Sequence, residues 1–362
     1  MRKLLIIVLF LFTLLPGWAN AQENTNPGND EFFGEYRSGK IIDVTTDDNG
    51  LRLYLTRMSN GEVLEVNTYG ETVKVGSKIY IEYFPATDTF NYATVDRSGP
   101  IFLLTILFVG SILILAGKKG ARSLISLVLS FVLLFFVLVP MLTNGFDPIL
   151  TTLIFGLCVL FLSIFVTHGF NRQSLVSFLG SFASILVALI LLQLATEMVS
   201  VSGLINEHIG QLNFELGNTL NLVRIVSAGI IIGILGVLDD ITITQVAVVR
   251  ELSSDTTLSK SDIFKKSLRV GRDHISSLVN TLVFAYMGST LPLIMFVSLI
   301  DVPFMILIGQ EFIFIEIIRS LIGAIALTIA VPVTTYLAVY VFLGAINKDE
   351  KSLESACGHT HH

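Results

Sequence analysis

RIVSAGIIIGILGVLDDITITQVAVVRE, residues 224–251, is apolar enough to cross a bilayer yet carries two adjacent carboxylates, Asp239 and Asp240, near its middle. As one helix rising about 1.5 Å per residue it reaches about 40 Å, a bilayer with its headgroups, and sets Arg224 and Arg250 at the two interfaces. Ionisable groups inside such a span cost several kcal/mol and normally face a partner, a cavity or a substrate path. Gly229, Gly233, Gly236, Asp240, Thr244 and Ala247 recur at spacings of three and four and so share one face. A small, polar stripe of this kind lets another backbone approach closely, which predicts that Asp240 looks into a helix contact or a watery gap beside it. Asp239 points about 100° away, beside Thr242 and Ile243. The alternative ends the membrane helix at Leu238 and leaves both acids at the cytoplasmic surface, with ITITQVAVV as an interfacial helix. Against it, 221–238 is a short span, and ITITQVAVV has no Lys or Arg to hold it among headgroups.

The whole chain has the composition of that stretch. Of 362 residues 52% are hydrophobic and only 14% charged, which reads as a multi-pass protein of the cell membrane with the lipid bilayer as its first partner. A net charge of −6, with the basic residues gathered in short loops, argues against nucleic acid as a partner. The two cysteines, Cys158 in a span and Cys357 near the C-terminus, imply no disulfide framework.

Residues 1–21 read as a signal peptide: Arg2 and Lys3, the apolar run Leu4 to Leu15, then Ala19-Asn20-Ala21 as a cleavage site. An uncleaved anchor is the alternative, disfavoured by Pro16, Gly17 and the short apolar core. Residues 22–98 form an extracytoplasmic β domain, with a flexible, acidic lead-in to about Phe33. Strands are predicted over Tyr36 to Thr46, Leu51 to Arg57, Val63 to Asn67, Val73 to Val75 with Ile79 to Tyr83, and Tyr92 to Arg97. Asp-Asn-Gly, Ser-Asn-Gly and Tyr-Gly turn signals separate them, and together they suggest a small OB-like barrel.

Residues 99–347 are the transmembrane helical domain, with seven spans at about 101–117, 121–142, 148–168, 173–195, 222–250, 275–299 and 317–343, and 348–362 is the tail. Lys118, Lys119 and Arg122, then Arg172, then Arg250 to Arg272, then Lys348 and Lys351 occupy alternate connections, which predicts an extracytoplasmic β domain and a cytoplasmic C-terminus. The loop from Thr196 to Leu220 is expected outside, with a short helix. In the basic loop Ser259 to Asp262 offers a helix N-cap. The sixth span carries a second small-residue face, Ser277, Thr281, Ala285, Gly288 and Pro292, with Asn280 alongside. Packing the two stripes together would bring Asn280 and Thr281 within reach of Asp240 and leave Tyr286 near the path.

Gly233, Gly236, Asp239, Asp240, Thr242, Thr244 and Gln245, together with Gly271-Arg272-Asp273, Asn280-Thr281-Leu282, Ala285-Tyr286, Gly288, Leu291 and Pro292, resemble the pattern of the YibE/F-like family of multispanning bacterial membrane proteins. The resemblance runs through the membrane part and only loosely through the β region. It implies a fold and brings no activity with it.

Paired acids amid Gly, Thr, Gln and Asn point first to a transporter or permease binding a proton or cation together with an unknown small solute. The residues read as that site are Asp239, Asp240, Thr242, Thr244, Gln245, Asn280, Thr281 and Tyr286, while Gly229, Gly233, Gly236, Gly288 and Pro292 serve helix packing and flexibility. Self-association into a homo-oligomer is compatible with such stripes. On the outer side Arg224 and Arg319 lie just inside their spans and could receive an anionic group; the favoured alternative pairs Arg319 with Glu316 three residues earlier and makes both arginines helix anchors. A sensor or scaffold whose β domain meets an extracytoplasmic partner is the second class, though it gives the buried acids no task. An intramembrane aspartyl protease needs acids from two spans, whereas Asp239 and Asp240 diverge on one helix, so no enzyme is expected. No cofactor motif occurs, and the tail Cys357-Gly-His-Thr-His-His has the ligand types of a weak metal chelator.

Overall fold

The computed structural model describes residues 35–46, 52–67, 72–84, 89–205, 207–217, 219–299 and 301–357. The expected signal peptide, the lead-in to Phe33 and the histidines of the tail lie outside them. The chain divides after Gly117 into two compact units.

In the first unit β1 (Glu35–Thr46), β2 (Arg52–Met58), β3 (Val63–Asn67), β4 (Lys78–Phe84) and β5 (Thr89–Val95) close in the order β1-β2-β3-β5-β4. All pairs are antiparallel except β3 with β5, which meet in parallel at Asn67↔Asn91. Strand β1 is long enough to serve two neighbours: 35–40 pairs with β4 and 39–46 with β2. Alternation puts Tyr54, Thr56 and Met58 of β2 and Ile79 and Ile81 of β4 inside, against Ile41 and Val66. The Asn60-Gly61 turn joins β2 to β3, with Gly61 at φ 90 and Asn60 Oδ1 accepting from Glu62 N at 3.0 Å. Residues 73–75 are not a strand; instead Val73 tucks into the core and donates its N–H to Tyr54 Oη at 3.1 Å.

Helix α1 (Ser98–Leu133) comes next, then a π segment (Leu134–Leu138) and α2 (Val139–Thr143). Beyond them are α3 (Pro148–Phe161) with a second π segment (Leu162–Val166), α4 (Arg172–Met198), the short α5 (Glu207–Glu215), α6 (Leu222–Leu252), α7 (Lys260–Ser289), α8 (Leu291–Ser298), α9 (Phe304–Ile308) and α10 (Glu311–Cys357). Among the described residues five helices are long and apolar enough to cross a membrane, or six if α7 and α8, bent by 65°, form one span. Seven were expected. The difference lies at 98–143, where two expected spans are one 46-residue helical run, interrupted only at Gly117 with φ 55 and ψ −128.

Three expectations about helix ends hold. Helix α5 is the short helix of the 196–220 loop, Ser259 caps α7 by accepting from Asp262 N at 3.2 Å, and the break before Pro292 divides α7 from α8. The flexibility read into Gly233 and Gly236 brings no break, since α6 is continuous.

Helices α4, α6, α7 and α10 pack together, and α3 leans on α6. Their apolar core includes Ile185, Leu192, Ile231, Ile234, Leu238 and Ala330. A second cluster, Val176, Val246, Val249, Ile263 and Ala338, lies nearer the basic end.

Candidate functional site

Between those two apolar clusters α6 carries Asp239, Thr242 and Gln245, one turn apart and each turned toward another helix. Ser163 donates its hydroxyl to Asp239 Oδ2 from the π segment that ends α3. A π turn interrupts the regular i→i−4 ladder, and such segments recur at functional sites. Thr242 Oγ1 and Ser181 Oγ of α4 lie 2.7 Å apart, and Ser177 Oγ donates to Thr242 O at 3.4 Å. Gln245 Nε2 donates to Thr335 Oγ1 of α10 at 2.7 Å and to Ser267 O of α7 at 3.0 Å. The result is a polar layer about 9 Å deep along α6, from Asp239 to Gln245, where buried hydrogen bonds tie α6 to three other helices and to the π segment.

Small residues let these helices come close enough to bond. Ser174, Ser177, Ser181 and Ser184 form a fully buried stripe on α4. A Cβ on Gly180 would overlap Thr334 Oγ1 of α10, and one on Gly271 of α7 would overlap Val331 Cγ1 and come within 2.9 Å of Gln245 Oε1. The hydroxyls of Thr334 and Ser267 are buried here without a hydrogen-bond partner. Pro332 lacks the N–H that would continue the α10 ladder, and Thr335 Oγ1 donates back to Val331 O at 2.7 Å.

The sequence reading of this helix needs correction in its facing. Asp240 is exposed, as are Gly229, Gly233, Gly236 and Ala247, so the small-residue stripe looks away from the core and Thr244 is half-buried at its edge. The core face of α6 is instead Ile230, Ile234, Leu238, Ile241, Thr242 and Gln245, which is also helically spaced. Periodicity marks both faces, because in a bilayer the outward side need not be polar. Asn280 and Thr281 are exposed on α7, and Thr281 donates to Ser277 O of its own helix, so neither joins the polar layer. Tyr286 does approach α6: its hydroxyl, buried and without a hydrogen-bond partner, would sit 2.9 Å from a Cβ on Gly233. Among the packing glycines of the sequence reading only Gly233 has such a neighbour; Gly229, Gly236 and Gly288 face open space. Ser163, Ser177, Ser181, Ser267 and Thr335 belong to the layer without having been singled out from the sequence, and the i, i+3, i+7, i+10 serines of α4 were the signal for two of them.

Both arginines at the other end are paired as anchors. Arg319 Nη1 contacts Glu316 Oε1 and Oε2 at 2.7 and 2.9 Å, and Arg224 is ion-paired with Asp147, the N-cap of α3. At the basic end Arg250 Nη1 donates to Gln173 Oε1 at 3.1 Å.

No curated protein and no solved structure matches the chain. The model of the family described as YibE/F-like protein matches residues 104–344, which takes in every residue of the polar layer. That match spans well over half of the 362 residues, and with the apolar helices it makes this chain a multi-pass membrane protein that belongs to the YibE/F-like family.

Proposed function

We propose that this protein is a transporter or permease of the cell membrane in which Asp239 binds a proton or cation coupled to the movement of a small solute. The observation that carries the reading is a carboxylate held by Ser163 between helices, in a polar layer bounded on both sides by apolar packing. A purely structural bundle has no need of an ionisable group at that cost, whereas a coupling site needs a charge shielded from both aqueous sides. Asp240 lies on the outward face of α6, so its part in the proposal is different: it is covered by water, by bent lipid or by a second copy in a homo-oligomer. The proposal includes seven crossings, with 98–143 crossing twice about Gly117, since one helix of that length would extend about 69 Å. It also includes an OB-like barrel outside the cell and a cytoplasmic C-terminus, as the alternation of basic connections favours.

The test is uptake of a solute panel into proteoliposomes at two pH values, with and without sodium. Asp239→Asn keeps the shape and removes the titratable charge, so it is expected to abolish the dependence on pH or ion; Asp240→Asn is expected to change it less. Full uptake by Asp239→Asn with wild-type pH and ion dependence would show Asp239 to be structural and sink the proposal.

A further inference from the structure

At the end of the bundle remote from Arg250, α3, α4 and α6 enclose a half-open cleft of about 250 Å³. Leu189, Leu192 and Ile231 give it an apolar floor, and Glu197, Asn221 and Arg224 stand at its rim. We propose that this cleft binds a small zwitterion with an apolar body, the chemistry of a free α-amino acid with a branched aliphatic side chain.

Size, charge and floor each narrow the occupant. The volume lies below the range of roughly 300–1,000 Å³ typical of drug-sized ligands, so the occupant is small. Arg224 meets Asp147 through Nη1, and its side chain, 46% exposed, keeps further N–H donors for a ligand carboxylate. The Glu197 carboxylate accepts from Gln193 Nε2 at 3.2 Å and has lone pairs left for an ammonium. A simple anion would meet Glu197 and Asp147, and a simple cation would meet Arg224; a ligand with both charges finds a partner for each. Leu189, Leu192 and Ile231 then cover its hydrocarbon, and both charges stay at the open, wetter rim.

Binding in the cleft is independent of the transport reading, and only the onward passage of the ligand rests on it. Ile231 lies eight residues from Asp239 on α6, about 12 Å along the axis, with buried Ile234, Leu235 and Leu238 between them as a closed layer.

Calorimetric titration of the purified full chain in nanodiscs tests it with L-leucine, glycine, N-acetylleucine and leucinamide. Leucine is expected to bind saturably. Affinity should fall at least tenfold when either charge is masked, when the side chain is absent, and in Glu197→Gln, an exposed isosteric change whose folding is checked by circular dichroism. Absence of leucine binding, or equal binding of the masked analogues, or unchanged affinity in folded Glu197→Gln, overturns the assignment. These titrations read equilibrium binding alone, at one pH and one sodium concentration. Failure of the cleft therefore leaves the Asp239 reading to the pH and ion dependence of uptake, and failure of that reading leaves the wild-type titration as it stands.

Discussion

Asp239 and Asp240 are neighbours in the chain with opposite surroundings, one bonded to Ser163 and the other exposed. A step of about 100° around α6 makes that difference. Ser163→Ala removes the donor from a carboxylate shielded by the bundle, and the expected cost is about 1–3 kcal/mol, read as a lower thermal midpoint in detergent. The double variant with Asp239→Asn should show coupling, because one contact is lost in both. Gly180→Ala drives a methyl group into Thr334 and should destabilise by about 1–3 kcal/mol, with Thr334→Ala relieving part of the loss. The acids themselves were plain in the sequence, and so was the rule that they need a reason to be in a span. Their facing was not plain. Gly229, Gly233 and Gly236 look like an interface, and only the packing of Ile234 and Leu238 against α4 and α10 decides which stripe is inside.

Elements were more legible than faces. The strands could be read because β-branched and aromatic residues such as Tyr54 and Thr56 run through short stretches and Asn60-Gly61 fixes a turn, whereas Val73 to Val75 has strand composition but no ladder partner. The junction from barrel to α1 is tied by Asp96, which accepts from Ser98 N at 2.9 Å and contacts Lys78 Nζ at 3.2 Å. Its hydrogen bonds to Ser98, with Lys78 adding less, hold its carboxyl below the usual range. A depressed carboxyl contributes stability above its unfolded value and loses it as pH falls through the folded one. Acidification below the ordinary carboxylate range should therefore loosen this junction, seen as faster amide exchange near Ser98, and Asp96→Asn should lack that part of the pH dependence. Glu311 at the start of α10 accepts from Ser202 N, Ser202 Oγ and Gly203 N at 3.0, 2.9 and 2.5 Å. Gly203, at φ 79, lies so close to α6 that a Cβ would stand 2.5 Å from Val223 N. Glu311→Ala should raise amide exchange at Ser202 and Gly203 roughly tenfold or more, the loss expected for bonds to a charged acceptor.

On the scale of the whole molecule the bundle is polar in a middle layer and apolar over much of its surface, where Leu150, Ile190 and Phe284 are largely exposed. That distribution suits lipid as the surrounding solvent. Composition alone made the class legible, because most of the chain is spans. The number of crossings was harder to read, since Lys118 and Lys119 look like a loop while the backbone departs from helix only at Gly117. Gly117→Val forces a side chain into a conformation open almost only to glycine, a strain of about 1–3 kcal/mol, and should lower the yield of folded protein in the membrane. The proposed seven crossings put the C-terminus on the other side of the membrane from the N-terminal domain. A cysteine at Ser352→Cys should stay unlabelled by an impermeant thiol reagent added to intact cells and react once they are opened; labelling from outside contradicts the odd count.

The π segment at 162–166 has a consequence for how this chain can change length. A π turn holds one residue more than the α turn it replaces, so deleting one residue there restores a regular helix, keeps the flanking stretches nearly in phase and re-aims the residues of the segment itself. Ser163 would then leave Asp239. Surface loops in general tolerate insertions and deletions, but a gap within 162–166 should appear among relatives only together with loss or relocation of the acid, which makes the length of that short segment a marker for the pair.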